Sequence, residues 1–311
     1  MVEWAMSTPD SCDTSIFQLN QLFPDEASAE LWFSRQRWPQ GTRCPHCGLA
    51  DVYETPNRKP QPYRCRDCGS YFSVRTGTVM GNSRLPLKTW IYAMYFLLAN
   101  PKSISSFQLA KRLGVTQKPA WYLAHRIREV WKEEEPQHFD GPIEVDETYV
   151  GGIERNKHRE DKLGEDHWSG KTPVMGMKDR ATGQVSAVVL DYVSKEEAVE
   201  FIFSRVDEGT PIYTDDSAVY YMIQNRSSVA HSRGQYRDGD CWTNGIESFW
   251  AMLKRAHKGT FHSMSYKHLQ RYVDELAVKQ STRDKSLLQR MEDTAKDMVG
   301  LSLTYKDLIA D

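Results

Sequence analysis

Four cysteines stand in two C-x2-C pairs, Cys44-Pro-His-Cys47 and Cys65-Arg-Asp-Cys68, each followed by a glycine, Gly48 and Gly69. Two intervening residues let both thiolates of a pair reach one ion, and the glycine admits the tight turn. Four thiolates at about 2.3 Å form a closed tetrahedral site, so the spacing points to structural Zn2+ with no open position for chemistry. Two matched pairs make a redox C-x-x-C the poorer reading, and two disulfides fit badly in a reducing compartment. Zinc here would stabilise a module too small to bury a core of its own. Cys12 and Cys241 have no partner pattern and read as packing residues. His46, inside the first pair, reads as a surface residue.

A second chemistry is written in carboxylates. In Ile143-Glu-Val-Asp-Glu-Thr148, alternation puts Ile143 and Val145 on one strand face and Glu144, Asp146 and Thr148 on the other. A half-buried strand with a wet face has this pattern, yet three acids in four positions repel unless a cation lies among them. Asp215 and Asp216 end the strand-like Ile212-Tyr-Thr. They either cap the next helix or lie where α/β sheets place their sites. Glu247 belongs to Asn244-Gly-Ile-Glu, which matches a capping box. On a helical wheel it also falls about 20° from Lys254, at the edge of an apolar stripe. That stripe is Ile246, Phe249, Trp250 and Leu253. A plain capping acid has no need of the alignment. Two strand aspartates and a helix glutamate, in that order, are a ligand set for two Mg2+ ions. Such ions, about 3.5–4 Å apart, activate a water or 3′-hydroxyl and stabilise the leaving oxygen of a phosphodiester.

These groups need elements to hold them. The 311 residues, 40% hydrophobic and 11% aromatic, allow two domains with ordinary cores. The apolar run 90–99 is too short for a bilayer and reads as a buried helix. The first residues lack the basic start and apolar run of a signal peptide, so a reducing cytoplasm is the expected location. Net charge is −2, but between Arg43 and Arg128 fourteen Lys and Arg stand against three acids. That asymmetry suggests a nucleic-acid-facing module on an otherwise acidic chain.

The expected class is α+β and multidomain. A helical lead-in covers 1–40, with a helix start at Pro24-Asp25-Glu26, and a zinc ribbon covers 41–80. A helix-turn-helix-like DNA-binding region covers 81–135. In it Ser105-Ser106 start one helix, Gly114-Val115 turn, and Thr116 caps a second. The second helix would present Gln117, Lys118, Tyr122, His125, Arg126 and Arg128 to phosphates and a groove. Residues 136–142 read as a linker and 154–171 as a mobile polar loop. An α/β domain covers 142–285 and a tail 286–311. Inside the domain the order is strands at 142–152, 172–179 and 184–193, a helix at 194–206, and a strand at 209–216. A helix at 217–224, a strand at 227–232 and helices at 244–257 and 265–280 complete it. That order fits an RNase-H-like catalytic domain.

With these motifs in hand, the chain resembles the zinc-ribbon DDE transposases of bacterial insertion sequences over about residues 20–280. The resemblance rests on C-P-H-C-G with Y-R-C-R-D-C-G, F-S-V-R-T-G-T-V-M, E-V-D-E-T-Y-V-G-G, Y-T-D-D-S-A-V-Y and T-N-G-I-E-S-F-W-A-M-L-K-R, then G-T-F-H and K-H-L-Q-R-Y-V-D-E-L. It implies a transposase that binds terminal inverted repeats, cuts the ends and joins them to target DNA. It implies Asp146, Asp215 and Glu247 as ligands of two Mg2+ ions, with Mn2+ able to substitute, and Lys254 as a contact to terminal DNA. Asp216 and Asn244 are the alternatives to Asp215 and Glu247. The implied partners are double-stranded DNA and a second copy of the chain or more, with no membrane. Where relatives carry an aromatic residue and an arginine, this chain has Val278 and Lys279, which implies altered packing. Two other functions use the same pattern: a catalytically silent DNA-binding regulator derived from a transposase, and an RNase-H-fold nuclease that cuts without joining.

Overall fold

The computed structural model describes residues 14–151, 171–207, 209–223, 226–229 and 242–310. Cys12, Cys241, nearly all of the stretch 154–171 and the end of the strand expected at 227–232 lie outside them. The chain divides into two compact units. One holds residues 1–100, 106–130 and 284–311, and the other 101–105 and 131–283.

In the first unit, α1 (Ile16–Leu22) and α2 (Glu26–Arg37) both begin with capping boxes, Ser15 with Gln18 and Asp25 with Ser28. Each box satisfies orphan amides of a first turn. The ribbon follows as β1 (Val52–Glu54), β2 (Tyr63–Cys65) and β3 (Tyr71–Phe72), an antiparallel sheet in that order. Its small core is Cys44, Cys65 and Phe72, with Trp38, Val52 and Tyr63 packed against it. Helix α3 (Leu87–Ala99) buries eight of its thirteen residues, so the apolar run is a core helix. Helices α4 (Ser106–Leu113) and α5 (Gln117–Val130) are joined through Gly114, whose φ of +66° is a left-handed value that favours glycine.

The side chains of α5 differ from the expected DNA-facing set. His125, Arg126 and Arg128 are buried. The Arg126 guanidinium lies 5.2 Å from the ring centres of both Trp90 and Tyr122. Helix α5 packs against α3, α4 and α9 (Leu287–Asp297), which together cover most of its circumference and bury all three side chains. Lys111, Arg112 and Lys118 stay exposed. The residues after 283 form α9 (Leu287–Asp297) and α10 (Tyr305–Ile309) within this same unit. Val79 N donates to Met298 O at 3.0 Å, and Gly300 N to Gly77 O at 2.9 Å.

The second unit is built on a five-stranded sheet. Its strands are β4 (Ile143–Val150), β5 (Thr172–Asp179), β6 (Val185–Val189), β7 (Ile212–Asp215) and β8 (Arg226–Val229). The spatial order is β6-β5-β4-β7-β8. β5 is antiparallel to both neighbours, while β4, β7 and β8 run parallel. This is the order and orientation of an RNase-H-like sheet. Strand alternation sends Ile143, Val145, Met175 and Met177 to one face, where α6 (Lys195–Phe203) packs. Val150 and Val174 go to the other, under α7 (Asn244–Ala256) and α8 (Tyr266–Ser281).

Two expectations need correction. The helix expected at 217–224 is a single 3-10 turn, Ala218–Tyr220. Val219, Tyr220 and Ile223 still pack on the core beside α6, while Tyr221 and Met222 are exposed. The stretch 136–142 is no loose linker, because Phe139 is buried among Ile143, Phe201 and Val206. No helix among the described residues is long and apolar enough to cross a membrane.

Candidate active site

The four cysteines converge. Their sulfurs lie within 4.8 Å of one another, with Cys44–Cys68 and Cys47–Cys65 both at 3.6 Å. A tetrahedron with zinc at about 2.3 Å from each sulfur has edges of about 3.8 Å, so the quartet fits one structural zinc ion. Gly48 and Gly69 hold φ of +78° and +70°, the values the knuckle turns require.

The acidic site is assembled by the sheet and α7. β4 and β7 pair in parallel as Ile143↔Ile212 and Glu144↔Tyr213. The same offset carried along both strands brings Asp146 beside Asp215. The Asp215 carboxylate accepts from Ser217 N at 3.0 Å. The Asp146 carboxylate accepts from the Trp250 indole nitrogen at 3.0 Å, a donor that reaches down from α7. Glu247, one turn earlier on α7, accepts from the Thr243 hydroxyl at 3.1 Å. Lys254 is exposed two turns further along the helix, and Asn244 is exposed at its first residue.

Burial pushes Asp146 up to about 8, and the charges of Glu147, Asp215 and Glu247 push the same way. The charged groups acting most strongly on it are therefore all acidic. Oxygen donors gathered in this way fit hard divalent cations. Among the described residues only the cysteine quartet brings three or more ligand atoms within 4.8 Å of one another.

The three acids of β4 divide their labour, contrary to the expectation that one cation holds them together. Glu144 is buried, accepts from Arg180 Nε at 3.0 Å, and takes the Ile246 amide at 2.9 Å. It thereby satisfies the first turn of α7, whose N-cap Thr243 offers no side-chain cap. The capping box read at Asn244 is not formed. Glu147 points to the opposite sheet face, where it accepts from the Tyr220 hydroxyl. Burial raises Glu147, and burial with the Glu147 charge raises Tyr220 well above its ordinary value.

Sequence reasoning missed Trp250, Glu144 and Arg180 as positioning residues. Trp250 read as one member of an apolar stripe, and Arg180 fell between two expected strands with no role. The guanidinium of Arg180 lies between the rings of Tyr213, at 3.6 Å, and Trp242, at 4.1 Å. Lys178, opposite Glu144 on β5, donates to Gly245 O at 3.3 Å, and burial lowers its pKa.

Residues 138–280 match the ISXO2-like transposase domain, and residues 24–71 match the transposase zinc-ribbon domain. An uncharacterized protein in transposable element ISH50 of Halobacterium salinarum is 28% identical over 257 residues, covering 77% of this chain and 86% of that protein. Among solved structures, a simian T-cell lymphotropic virus intasome in complex with PP2A regulatory subunit B56 gamma matches at 12% identity. It covers 58% of this chain and 66% of that one, just under two thirds, with a TM-score of 0.29. A pre-cleavage Mos1 transpososome matches at 13% identity over 67% of this chain and 78% of that one, TM-score 0.25. At such scores the ground for the fold remains the strand order itself.

Proposed function

The chain belongs to the ISXO2-like, zinc-ribbon transposases of insertion sequences, and on that premise we propose that Asp146, Asp215 and Glu247 form its DDE-type catalytic centre. The observation that supports this most is the placement of the three: the β4–β7 register carries Asp146 beside Asp215, and α7 holds Glu247 near enough that its charge adds to the burial and to the Glu147 and Asp215 charges that push Asp146 up to about 8. The three carboxylates would hold two Mg2+ ions. Bound there, the ions supply activation of a water or 3′-hydroxyl and charge stabilisation at the leaving oxygen.

The chain's own residues do the positioning. The Trp250 indole fixes one Asp146 oxygen, the Thr243 hydroxyl orients Glu247, and the Ser217 amide orients Asp215. Preset acids need no reorganisation when charge develops. Exposed Lys254, on the same helix as Glu247, is suited to a phosphate of the terminal DNA. Glu247 is preferred to Asn244, because it acts on Asp146 electrostatically and an anionic carboxylate binds Mg2+ better than an amide. The zinc ribbon and 85–132 would recognise the terminal inverted repeats. Joining two ends to a target requires a dimer or larger assembly on DNA.

The test is strand transfer in Mg2+ on terminal-repeat DNA by Asp146→Asn, Asp215→Asn and Glu247→Gln. Each is expected to fold and bind ends normally while transfer falls by about a hundred- to a thousandfold, the scale set by loss of a main electrostatic contributor. A variant that transfers at full rate removes its residue from the centre.

A further inference from the structure

The basic face of α5 lines a cavity of about 350 Å3 within the first unit. That is at the small end of the ligand-site range, about 300–1,000 Å3. Its walls are the loop 81–85, Trp90 of α3, Lys118, Tyr122 and Arg126 of α5, and Tyr305 of α10. Three cations, Arg84, Lys118 and Arg126, line it, and no acid does. Tyr122 and Tyr305 meet edge to face, their ring centres 5.6 Å apart. Lys118 Nζ rests 4.6 Å from the centre of the Tyr305 ring.

The wall is built. Tyr122 donates its hydroxyl proton to Leu303 O at 2.7 Å, which fixes that ring. Arg126 is 6% exposed and donates to Gly81 O at 2.5 Å, and its Nε has no hydrogen-bond partner among the described residues. Arg75 donates to Ser83 O at 3.1 Å and Leu85 O at 2.7 Å, which holds the loop. Flat aromatic walls with cations and no anion select a planar apolar group attached to a negative one. A nucleotide has that chemistry: its base stacks on a tyrosine, and its phosphate meets Lys118 or Arg84.

The geometry points to an unpaired base of the DNA substrate as the occupant, turned out of the duplex and held between α5 and α10. Shared occupancy of one unit by this cavity and the zinc ribbon favours a strand of DNA over a free nucleotide. The assignment rests on the first unit being the DNA-contacting part of the chain.

The full chain is titrated with a labelled duplex carrying one unpaired 2-aminopurine and with the fully paired duplex of the same sequence. The unpaired site is expected to bind about tenfold tighter, the scale of one stacked base, with its fluorescence quenched on binding. Lys118→Gln removes an exposed cation. Leu85→Trp fills the cavity with no change of charge. Both are expected to erase the preference for the unpaired duplex. Equal binding of the two duplexes, or a preference that survives Leu85→Trp, overturns the inference. A free deoxynucleoside monophosphate that binds as tightly as the bulged strand overturns it too, by making a soluble nucleotide the occupant. A chain that binds neither duplex breaks the DNA-contacting reading beneath it.

Discussion

Asp146 depends on a neighbour with no side chain. It stands opposite Gly176 on β5, and the Trp250 ring fills the space a side chain would take there. A Cβ at 176 would lie 2.6 Å from Trp250 Cη2 and 2.9 Å from Cζ2. The ring is 3% exposed and its nitrogen is committed to Asp146, so it has little room to give. Gly176→Ala is therefore expected to cost about 1–3 kcal/mol as an overpacked core. It should also tilt the indole away from the Asp146 carboxylate. Denaturant unfolding followed by tryptophan fluorescence measures the first effect. A strand-transfer rate that drops while end binding holds would reveal the second. Unchanged stability would mean that the α7–β5 contact is looser than its distances say.

At the scale of elements, α8 protects the sheet edge. β6 ends the sheet, and an open edge strand invites foreign pairing. Gln270 accepts from Val189 N at 2.7 Å and donates to Ala187 O at 2.9 Å, and Ser281 accepts from Val185 N at 2.9 Å. Gln270 also donates to Asp274 at 2.6 Å. Burial pushes Asp274 up to about 7, and Glu133 adds to the rise. Between about pH 4 and 7 the folded chain holds a proton on Asp274 that the unfolded chain has released, so this group's stabilising contribution fades as pH rises through that window. Asp274→Asn keeps the neutral shape and is expected to flatten the fall of melting temperature over pH 4 to 7. A slope equal to that of the parent chain would remove Asp274 as its cause.

The elements also show what could be read in advance. β4, β5, β6, α6 and α7 announce themselves because each buries a face whose period, two or about 3.6, survives in the residue order. Zinc ligation is legible for a similar local reason, since both knuckles are contiguous. The direction in which α5 turns its arginines is not local. It depends on α3, α4 and α9 packing around the helix, and a basic helix facing neighbours has the same sequence as one facing DNA. Glu144 is hidden likewise: its partners, the Ile246 amide and Arg180, lie 102 and 36 residues away. Asp146 and Asp215 become neighbours only through parallel pairing, which alternation alone does not specify.

For the whole molecule, the consequential fact is that the first unit is closed by the last residues of the chain. Leu287, Met291, Ala295, Met298, Leu303 and Leu308 are all buried. Burying a Leu- or Met-sized side chain stabilises by about 1.5–3 kcal/mol, so this segment carries a term on the order of 10 kcal/mol before chain entropy is set against it. Ordinary domains retain only about 5–15 kcal/mol in net. Met298 O and Gly300 N also supply backbone partners to Val79 and Gly77. A chain ending at Arg283 is therefore expected to lose the first unit while the five-stranded unit, complete by that residue, keeps its own melting transition. Calorimetry should show one transition in place of two, and residues 14–130 should lose their resistance to trypsin. Binding to terminal DNA should fall with the lost unit, and zinc should be held only as weakly as an isolated ribbon holds it. If both transitions persist in the shortened chain, the closing helices are an accessory layer, and α2, α3 and α5 suffice to hold the first unit together.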